Sequence, residues 1–480
     1  MNVKPTTNND DERVTVKNTK FKLLKRFWKL ILIQAVVSIS ISGLMLNMLG
    51  ISNIIWPGEE FHSFEIGLLV SSKMLMVAVF GLFFGFLSDR ISRKKLFTLV
   101  LLLMGISKIF NGFIPMNEPI SSFILFIACY AALGVGQGGI NPLIISYSND
   151  ACELNIRSQF FGLKEIFNQL FLILGMIISA WLISTGFWRI YFWSTGFLLL
   201  SVAISMFFIL NEPKRASMRH EFKDILSLDI KYDYKLNRGT IKSTIFSNTN
   251  IITFIEGVFT WILFSIAIYL IYPFIQSPPY NVSPVVSSFL MIIFGIPGAI
   301  FGAITFSKIS DQLAQKNIKN RIYLIVISML ILFGIVILLF ILPLPKLSPG
   351  EANNLMNLLS YPIFLLFGIL LFILRAVLCI YHINQTPILQ IINLPEAQGT
   401  ISSWNQFLEE LGFGLGPIIS GYLLTITNNY TETALIAMSI GVPSIFLWLL
   451  ANKWIKRDIH RIELILEKRA KELSNENKKT

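Results

Sequence analysis

The 480 residues of this chain are 54% hydrophobic and only 14% charged, and 40 basic residues outnumber 28 acidic ones. A soluble globular protein carries about 25% charged residues, so this composition excludes an ordinary soluble domain. The net charge of +12 is also typical of nucleic-acid binding proteins, but here the basic residues cluster at the ends of apolar segments. We therefore expect a lipid bilayer as the partner of this protein, and no nucleic acid.

Apolar segments recur along the whole chain, and a helix needs about 20 such residues to cross a bilayer. The polar residues 211–247 divide them into two groups of six, so we predict an all-α membrane protein with twelve transmembrane helices in two six-helix halves, 27–210 and 248–454. The predicted spans are 27–50, 64–88, 96–116, 120–148, 158–185, 188–210, 248–276, 284–308, 320–345, 358–388, 401–427 and 432–454.

The distribution of charge predicts the topology of these spans. Basic clusters precede the first span and recur at Arg90–Lys95, Lys214–Arg219, Lys308–Arg321 and Lys453–Arg461, all on one side. The positive-inside rule and the even span count both place the two termini in the cytoplasm of a multi-pass cell-membrane protein. We expect no removable signal peptide, and cytoplasmic segments at 1–26, 211–247 and 455–480. The last of these has apolar residues at helical spacing, which predicts a helix on the membrane interface.

One loop between apolar segments combines an acid, a turn and a basic cluster. It reads Gly85-Phe86-Leu87-Ser88-Asp89-Arg90-Ile91-Ser92-Arg93-Lys94-Lys95, and a second version, with Asp311 in place of Asp89, follows almost half a chain length later. This pattern resembles the signature loop of the major facilitator superfamily, between its second and third helices. The resemblance implies two pseudo-symmetric halves and a gating role for Asp89, Arg90, Arg93 and Asp311. It also implies that Asp89 docks at the start of span eleven, where Thr400 and Ser402 are candidate helix caps.

Polar stripes occupy matched positions on spans four and ten when Pro142 is aligned with Pro387. At helical spacing, span four presents Tyr130, Gly134, Gln137 and Asn141, and span ten presents Arg375, Cys379, His382 and Thr386. Repeat-built transporters place their substrate sites at such an interface, so both helices are expected to face a central cavity. The alternative for Gly134, Gly136 and Gly138 is close helix packing.

Charged residues inside the spans are expensive in hydrocarbon and usually face a cavity or a partner. We predict substrate or ion contact for Arg375, Glu256 and Lys73, together with His382, Gln137 and Tyr130. A structural Arg375–Glu256 pair and a Lys73 that extends to the surface are the alternatives. The acids Glu165, Glu409 and Glu410, with Lys164, are predicted to form an inner gate of ion pairs.

Within the superfamily, the sequence resembles the Spinster-like branch. The similar motifs are Gly134-Val135-Gly136 before a polar residue, Arg157-Ser158, Glu212-Pro213-Lys214-Arg215 and the loop Asp89–Lys94. The chain departs from that branch at Tyr130, where an arginine is usual, and at Gln137, where a glutamate is frequent. Span one has no acid between Leu30 and Gly50, so the usual proton-coupling residues of the branch are missing.

These patterns predict a secondary transporter that moves a small organic solute by alternating access, coupled to a proton or another ion or to none. A guanidinium in an otherwise weakly polar cavity favours an amphiphilic or anionic solute over a sugar. The alternative class is a non-transporting receptor or scaffold on the same fold. An enzyme is disfavoured because the sequence has no P-loop, catalytic cluster or metal-ligand spacing, and we expect no cofactor. The three cysteines fit neither a disulfide framework nor a metal site.

Overall fold

The structure is a computed structural model, and it describes residues 9–88, 90–116, 118–152, 154–212, 246–394 and 397–477. The described residues are overwhelmingly helical and contain no β-strand. The helices of the first half are α1 (Asn9–Ile41), α2 (Gly43–Leu46), α3 (Met48–Ile55), α4 (Ser63–Ser88), α5 (Arg93–Phe113), α6 (Pro119–Ala151), α7 (Leu154–Ser184) and α8 (Trp188–Ile209).

The second half begins after the polar linker, most of which lies outside the described residues. Its helices are α9 (Asn248–Gln276), α10 (Pro284–Leu290), α11 (Ile296–Lys316), α12 (Lys319–Ile341), α13 (Pro349–Ala352), α14 (Leu355–Ser360), α15 (Pro362–Ile391), α16 (Gln398–Thr427), α17 (Tyr430–Ser439) and α18 (Val442–Asn477). A π-helical turn, Met291–Gly295, joins α10 to α11.

Ten segments within the described ranges are long and apolar enough to cross a membrane. The prediction of an all-helical membrane protein is therefore confirmed, and the count of twelve spans is consistent with the structure. Of the two remaining predicted spans, the first coincides with α1–α3, where the helix is broken at Ser42 and Asn47. The eleventh coincides with α16. The acids Glu409 and Glu410 and five glycines make α16 less apolar than the other spans.

The break in the first span is stabilised from within its own half. Helix ends leave carbonyl groups without intrahelical partners, and a buried carbonyl needs another donor. The hydroxyl of Tyr191 on α8 lies 3.1 Å from the carbonyl oxygens of both Ile39 and Ser40. The side chain of Asn47 donates to the carbonyl of Gly43. These bonds allow the helix to end and restart inside the bundle.

Close backbone approaches hold the helices of each half together. A Cβ on Gly134 of α6 would lie 2.3 Å from the carbonyl oxygen of Lys73 on α4, and one on Gly138 would lie 2.8 Å from that of Val77. The second half repeats the arrangement, because a Cβ on Gly302 of α11 would lie 2.3 Å from the carbonyl oxygen of Ala376 on α15. The packing interpretation of the span-four glycines is thus confirmed.

The two halves meet at one end of the bundle, which we call the closed end. The other end, which carries Arg90–Lys95 and Lys453–Arg461, is called the basic end. At the closed end, α4 packs against α16 and α10 packs against α7. The hydroxyl of Ser63 donates to the carbonyl of Gly421 at 2.9 Å, and Gln276 donates to the carbonyl of Leu46 at 3.0 Å. The hydroxyl groups of Ser63 and Thr425, 3.1 Å apart, and the hydrogen bond from Tyr269 to the carbonyl of Ser63 also join the halves at this end.

Two features of the basic end differ from the sequence expectation or extend it. Helix α16 begins at Gln398 with Ala397 as its N-cap residue, so Thr400 and Ser402 lie inside the helix and their assignment as caps was wrong. Residues 455–477 of the C-terminal tail continue α18. They are attached to the start of α9 by Asp458, which is 1% exposed and accepts hydrogen bonds from the backbone and hydroxyl of Thr249.

Candidate substrate and coupling site

The two polar stripes become more exposed toward the basic end. On α6, Tyr130 is buried and Asn141 is exposed; on α15, Arg375 is half-buried, whereas His382 and Thr386 are exposed. Both helices run from the closed end to the basic end, so this gradient follows the bundle axis on both. The stripes therefore line a vestibule that widens toward the basic end. Gln137, at the middle of its stripe, is half-buried.

Tyr130 lies at the buried end of its stripe and is part of the core of the first half. It is 1% exposed and packs against Lys108 of α5, whose Nζ lies 5.7 Å from the Tyr130 ring centroid. The same Nζ is 4.9 Å from the ring of Tyr191 and 5.0 Å from that of Phe192. The structure thus places Tyr130 in an aromatic cage around a lysine. Lys108 was not predicted as a site residue, although it carries the same signal that selected Lys73, a charge within a span.

Arg375 lines a pocket inside the second half. The pocket lies between α9, α12, α15 and α17 and has a volume of about 60 Å³. Its lining is apolar apart from Arg375 and Tyr272, and the Nε atom of Arg375 has no hydrogen-bond partner. A guanidinium in such surroundings is suited to hold an anionic group while the neighbouring side chains contact an apolar one. Leu263, Phe264 and Leu371 are among these neighbours.

Glu256 is completely buried and does not pair with Arg375. One carboxylate oxygen accepts a hydrogen bond from Thr260, and the other lies 3.3 Å from the hydroxyl of Tyr381. The structure records no ion pair between Glu256 and Arg375, both of which it describes. The alternative of a structural Arg375–Glu256 lock was therefore wrong for this arrangement of the helices.

Glu409 lies close to Glu256, because a Cβ on Gly257, the next residue of α9, would be 3.3 Å from the Cγ atom of Glu409. One oxygen of Glu409 accepts hydrogen bonds from Gln385 and Asn405, both at 2.7 Å. Glu256 and Glu409 thus lie together inside the second half, and Glu410 follows Glu409 on α16. Lys73 on α4 is only 2% exposed, so the alternative that it extends to the surface was wrong.

The residues predicted to form an inner gate are not paired with one another. The Nζ atom of Lys164 lies 3.3 Å from the side-chain oxygen of Asn141, within the first half. Glu165 accepts hydrogen bonds from Asn168 at 3.0 Å and Gln169 at 2.8 Å, also within the first half. Neither residue bonds to the acids of α16 in the part of the chain that the structure describes, so the predicted gate is open here.

The signature loop is attached to the end of its own half. The carboxylate of Glu212 accepts hydrogen bonds from the backbone of Arg93 at 3.1 Å, the backbone of Lys94 at 2.9 Å and the hydroxyl of Ser92 at 2.8 Å. Burial raises the pKa of Glu212, but these donors and the Arg93 charge outweigh burial, so its pKa lies below the usual value. Glu212 therefore acts as an N-terminal cap for α5.

The other predicted gating residues also have partners within their own halves. The guanidinium of Arg90 lies 4.0 Å from the centre of the Phe86 ring, and Arg93 donates to the hydroxyl of Ser146. In the second half, Arg321 forms an ion pair of 2.8 Å with Asp311. Asp89 lies outside the described residues.

His382 is placed among aromatic rings at the junction of the pocket and the vestibule. Its ring centroid is 5.5 Å from that of Trp261 on α9 and 5.5 Å from that of Tyr381 on α15. Because His382 is exposed despite these contacts, it borders open space within the bundle.

The arrangement of two helical halves around a polar vestibule has counterparts among known proteins. The family model described as Major Facilitator Superfamily matches residues 35–417. The chain belongs to the Major Facilitator Superfamily. Membership, with the transporters among its structural relatives, supports a membrane transporter rather than an enzyme.

Individual relatives of this superfamily member are distant in sequence. A curated relative, the MFS-type transporter clz4 of Cochliobolus lunatus, is 30% identical over 124 residues, which cover 26% of this chain and only 21% of that protein. A bacterial homolog of the human lysosomal transporter Spinster, solved in an inward-facing and unoccupied conformation, superposes with a TM-score of 0.66 at 16% identity. That superposition covers 90% of this chain and 98% of the homolog.

A D-xylose-proton symporter superposes with a TM-score of 0.59 at 16% identity, covering 89% of this chain and 96% of the symporter. The nucleoside transporter NupG gives 0.56 at 14% identity, covering 88% and 98%. At these identities the similarity shows the fold alone. The fold expected from the signature loop, including its Spinster-like resemblance, is confirmed.

Proposed function

We propose that this chain is a secondary active transporter that moves a small organic solute by alternating access. The observation that carries the proposal is the asymmetry between the two ends of the bundle. Hydrogen bonds and close backbone contacts join the halves at the closed end, while the polar stripes are exposed toward the basic end. Rocking of the halves about this contact would expose the same vestibule to the other side.

The proposed solute is amphiphilic or anionic. Arg375 supplies fixed positive charge beside an apolar pocket, and His382 and Gln137 add a small number of polar contacts along the vestibule. A sugar would require many more polar side chains to replace its hydration. The planar donors of Arg375 match a carboxylate or phosphate group, which a lysine would not reproduce.

The proposed setting is a cell membrane with both termini in the cytoplasm, which makes the basic end cytoplasmic. The segments 1–26, 211–247 and 455–480 are then the cytoplasmic parts, with 27–210 and 248–454 as the moving halves. A proton is the proposed coupling ion, because the carboxylates of Glu256 and Glu409 lie together in the second half near the vestibule.

The alternative is a receptor or scaffold that uses this fold without transport. A reversible cross-link separates the two, because the side chains of Ser63 and Thr425 lie 3.1 Å apart across the closed end. In a background without native cysteines, Ser63→Cys with Thr425→Cys is oxidised in proteoliposomes that contain a solute chosen by thermal-shift screening. Loss of solute exchange on oxidation and its return on reduction are expected for a transporter. Absence of exchange in the reduced protein, with solute binding retained, would support the receptor.

Asp89 is proposed to help latch the halves at the basic end. Asp89→Asn should preserve folding and insertion while it changes the ratio of the two open states, by at most the differential interaction of one charge, about 1–2 kcal/mol. Distances between spin labels on the two halves measure this ratio. An unchanged distance distribution would remove the latch from the proposal.

A further inference from the structure

Three helices of the second half each contribute a pair of polar residues to one cluster inside the bundle. In each pair the residues are four positions apart, so their side chains lie next to each other on one face of the helix. The pairs are Glu256 and Thr260 on α9, Tyr381 and Gln385 on α15, and Asn405 and Glu409 on α16. We call these six residues the polar cluster.

Contacts between the three helices show that the two acids of the polar cluster lie together. The hydroxyl of Tyr381 lies 3.3 Å from one carboxylate oxygen of Glu256. One turn further along α15, the side chain of Gln385 donates to Glu409 at 2.7 Å. A Cβ on Gly257, the residue after Glu256, would lie 3.3 Å from the Cγ atom of Glu409. The same face of α15 therefore contacts both acids, and α9 places them side by side.

The polar cluster contains two carboxylates and no basic residue. The structure describes both acids and records no ion pair for either of them, and Glu256 is 0% exposed. Carboxylates that are removed from water need a proton or a positive charge to compensate them. Glu409 is half-buried whereas the other five side chains are buried, so an ion from solution reaches the cluster at Glu409.

Asn405 indicates that the compensating species is a metal cation. Its Nδ2 atom donates to Glu409 at 2.7 Å, which fixes the orientation of the amide. Its Oδ1 atom is buried and has no hydrogen-bond partner, although the side chain is only 7% exposed. This oxygen points toward α9, 4.0 Å from the position of a Cβ on Gly257. A proton on one carboxyl group compensates that group alone, whereas a metal cation also attracts the unpartnered amide oxygen.

We propose that the polar cluster binds one sodium ion through the carboxylates of Glu256 and Glu409 and the Oδ1 atom of Asn405. Carboxylate and amide oxygens are the ligands that hard cations prefer. With sodium bound, one negative charge remains, and the N–H and O–H groups of Thr260, Tyr381, Gln385 and Asn405 stabilise it.

A monovalent ion fits this cluster better than a divalent one. Mg²⁺ usually keeps several water molecules, and five of the six side chains here are buried. Ca²⁺ takes about six to eight oxygens, more than two carboxylates and one amide supply. The inference rests on the proposed transport function, which places a coupling proton at these acids, and it deepens that function by naming sodium as a second ion for the same oxygens.

Binding of radioactive sodium ions to the purified full-length protein in nanodiscs tests the proposal. Choline chloride keeps the ionic strength constant, and no solute is present. Saturable binding is expected below about 0.15 M, the physiological ionic strength, and equal concentrations of Mg²⁺ should not displace the sodium. Failure of sodium binding leaves the transport proposal standing, whereas absence of solute exchange leaves the sodium site standing.

Three variants remove the proposed ligands one at a time. Glu256→Gln, Glu409→Gln and Asn405→Ala should each weaken sodium binding by about tenfold or more, whereas Asn405→Asp, which keeps an oxygen at this position, should retain it. Glu410→Gln is the matched control, because it removes the same charge one residue further along α16 and should keep sodium binding within about threefold. Thermal unfolding gives a second measurement and excludes variants that fail to fold. Sodium should raise the melting temperature of the parent protein relative to choline, and it should not do so in Glu409→Gln.

Absence of saturable sodium binding in the parent protein would overturn the proposal, and so would displacement of sodium by Mg²⁺. Unchanged binding in Asn405→Ala would overturn it as well, because the acids alone would then attract the ion. A loss in Glu410→Gln as large as in Glu409→Gln would show a general attraction to negative charge and no site at the polar cluster.

Discussion

The closed end depends on glycines that allow the two halves to approach, and adding one methyl group there should shift the equilibrium between states. Gly67 and Gly421 each come so close to the other half that a new Cβ would lie 2.4 Å from a backbone carbonyl oxygen. Real Cβ atoms do not occupy such distances, and the obstacle is backbone rather than the end of a flexible side chain. Either Gly67→Ala or Gly421→Ala must therefore separate the halves at this end.

The size of the effect follows from the cost of overpacking. Extra methyl groups in well-packed interiors cost about 1–3 kcal/mol. Only the closed-end arrangement has this cost, because rocking separates α4 from α16. At about 1.4 kcal/mol per factor of ten, the ratio of states should change by about 5–150-fold. The gain in helix propensity from glycine to alanine, about 1 kcal/mol, applies to both states and cancels.

Two further glycines give matched controls. A Cβ on Gly334 would have no neighbour within 4 Å, so Gly334→Ala should leave the ratio unchanged. A Cβ on Gly302 would meet the carbonyl oxygen of Ala376 in the same half at 2.3 Å, so Gly302→Ala should lower the melting temperature without changing the ratio. The distance between spin labels at Ser121 and Asn353, exposed residues of the two halves at the closed end, measures the ratio of the two states. The reasoning is refuted if Gly67→Ala and Gly421→Ala give the same distribution as Gly334→Ala.

Arg375→Lys keeps the charge but loses the planar donors, so binding of an anionic solute, measured by calorimetry, should weaken by about tenfold. Exchanging Arg375 and Glu256 should not restore transport, because the structure records no ion pair between them. Full rescue of transport by this exchange would contradict that arrangement. Glu212→Gln should lower the melting temperature at pH 7. Because the pKa of Glu212 is depressed in the folded protein, its ionised carboxylate stabilises the fold above its unfolded pKa of about 4.3. This stabilisation is lost as pH falls through the folded pKa, so the difference in melting temperature between Glu212→Gln and the parent protein should shrink near pH 4. Equal differences in melting temperature at pH 7 and pH 4 would argue against Glu212 as the cap of α5. Cysteines introduced at Glu351 and Ser474 should be labelled from opposite sides of the membrane, and labelling from one side would overturn the topology.

The sequence alone was sufficient to predict the fold, because lipid imposes simple requirements on a chain. Every spanning segment must be a helix of about 20 apolar residues, so spans such as 248–276 and 188–210 were located within one residue of α9 and α8. The signature loop at Asp89 and its second version at Asp311 added the division into two halves. Charges inside the spans identified Glu256, Arg375 and Lys73 as exceptional.

Which of these charges act on one another was decided only by tertiary structure. Helical spacing shows which face of one helix a side chain occupies, but not which neighbouring helix covers that face. Spacing therefore suggested that Tyr130 lines the cavity, whereas α5 and α8 bury it around Lys108. It also left the Arg375–Glu256 pair open, although Thr260 and Tyr381 are the partners of Glu256. The contact of α4 with α16, which places Gly67 against Pro417, joins residues more than 300 positions apart. A contact of that length depends on the packing of all the intervening helices, so no local pattern in the sequence contains it.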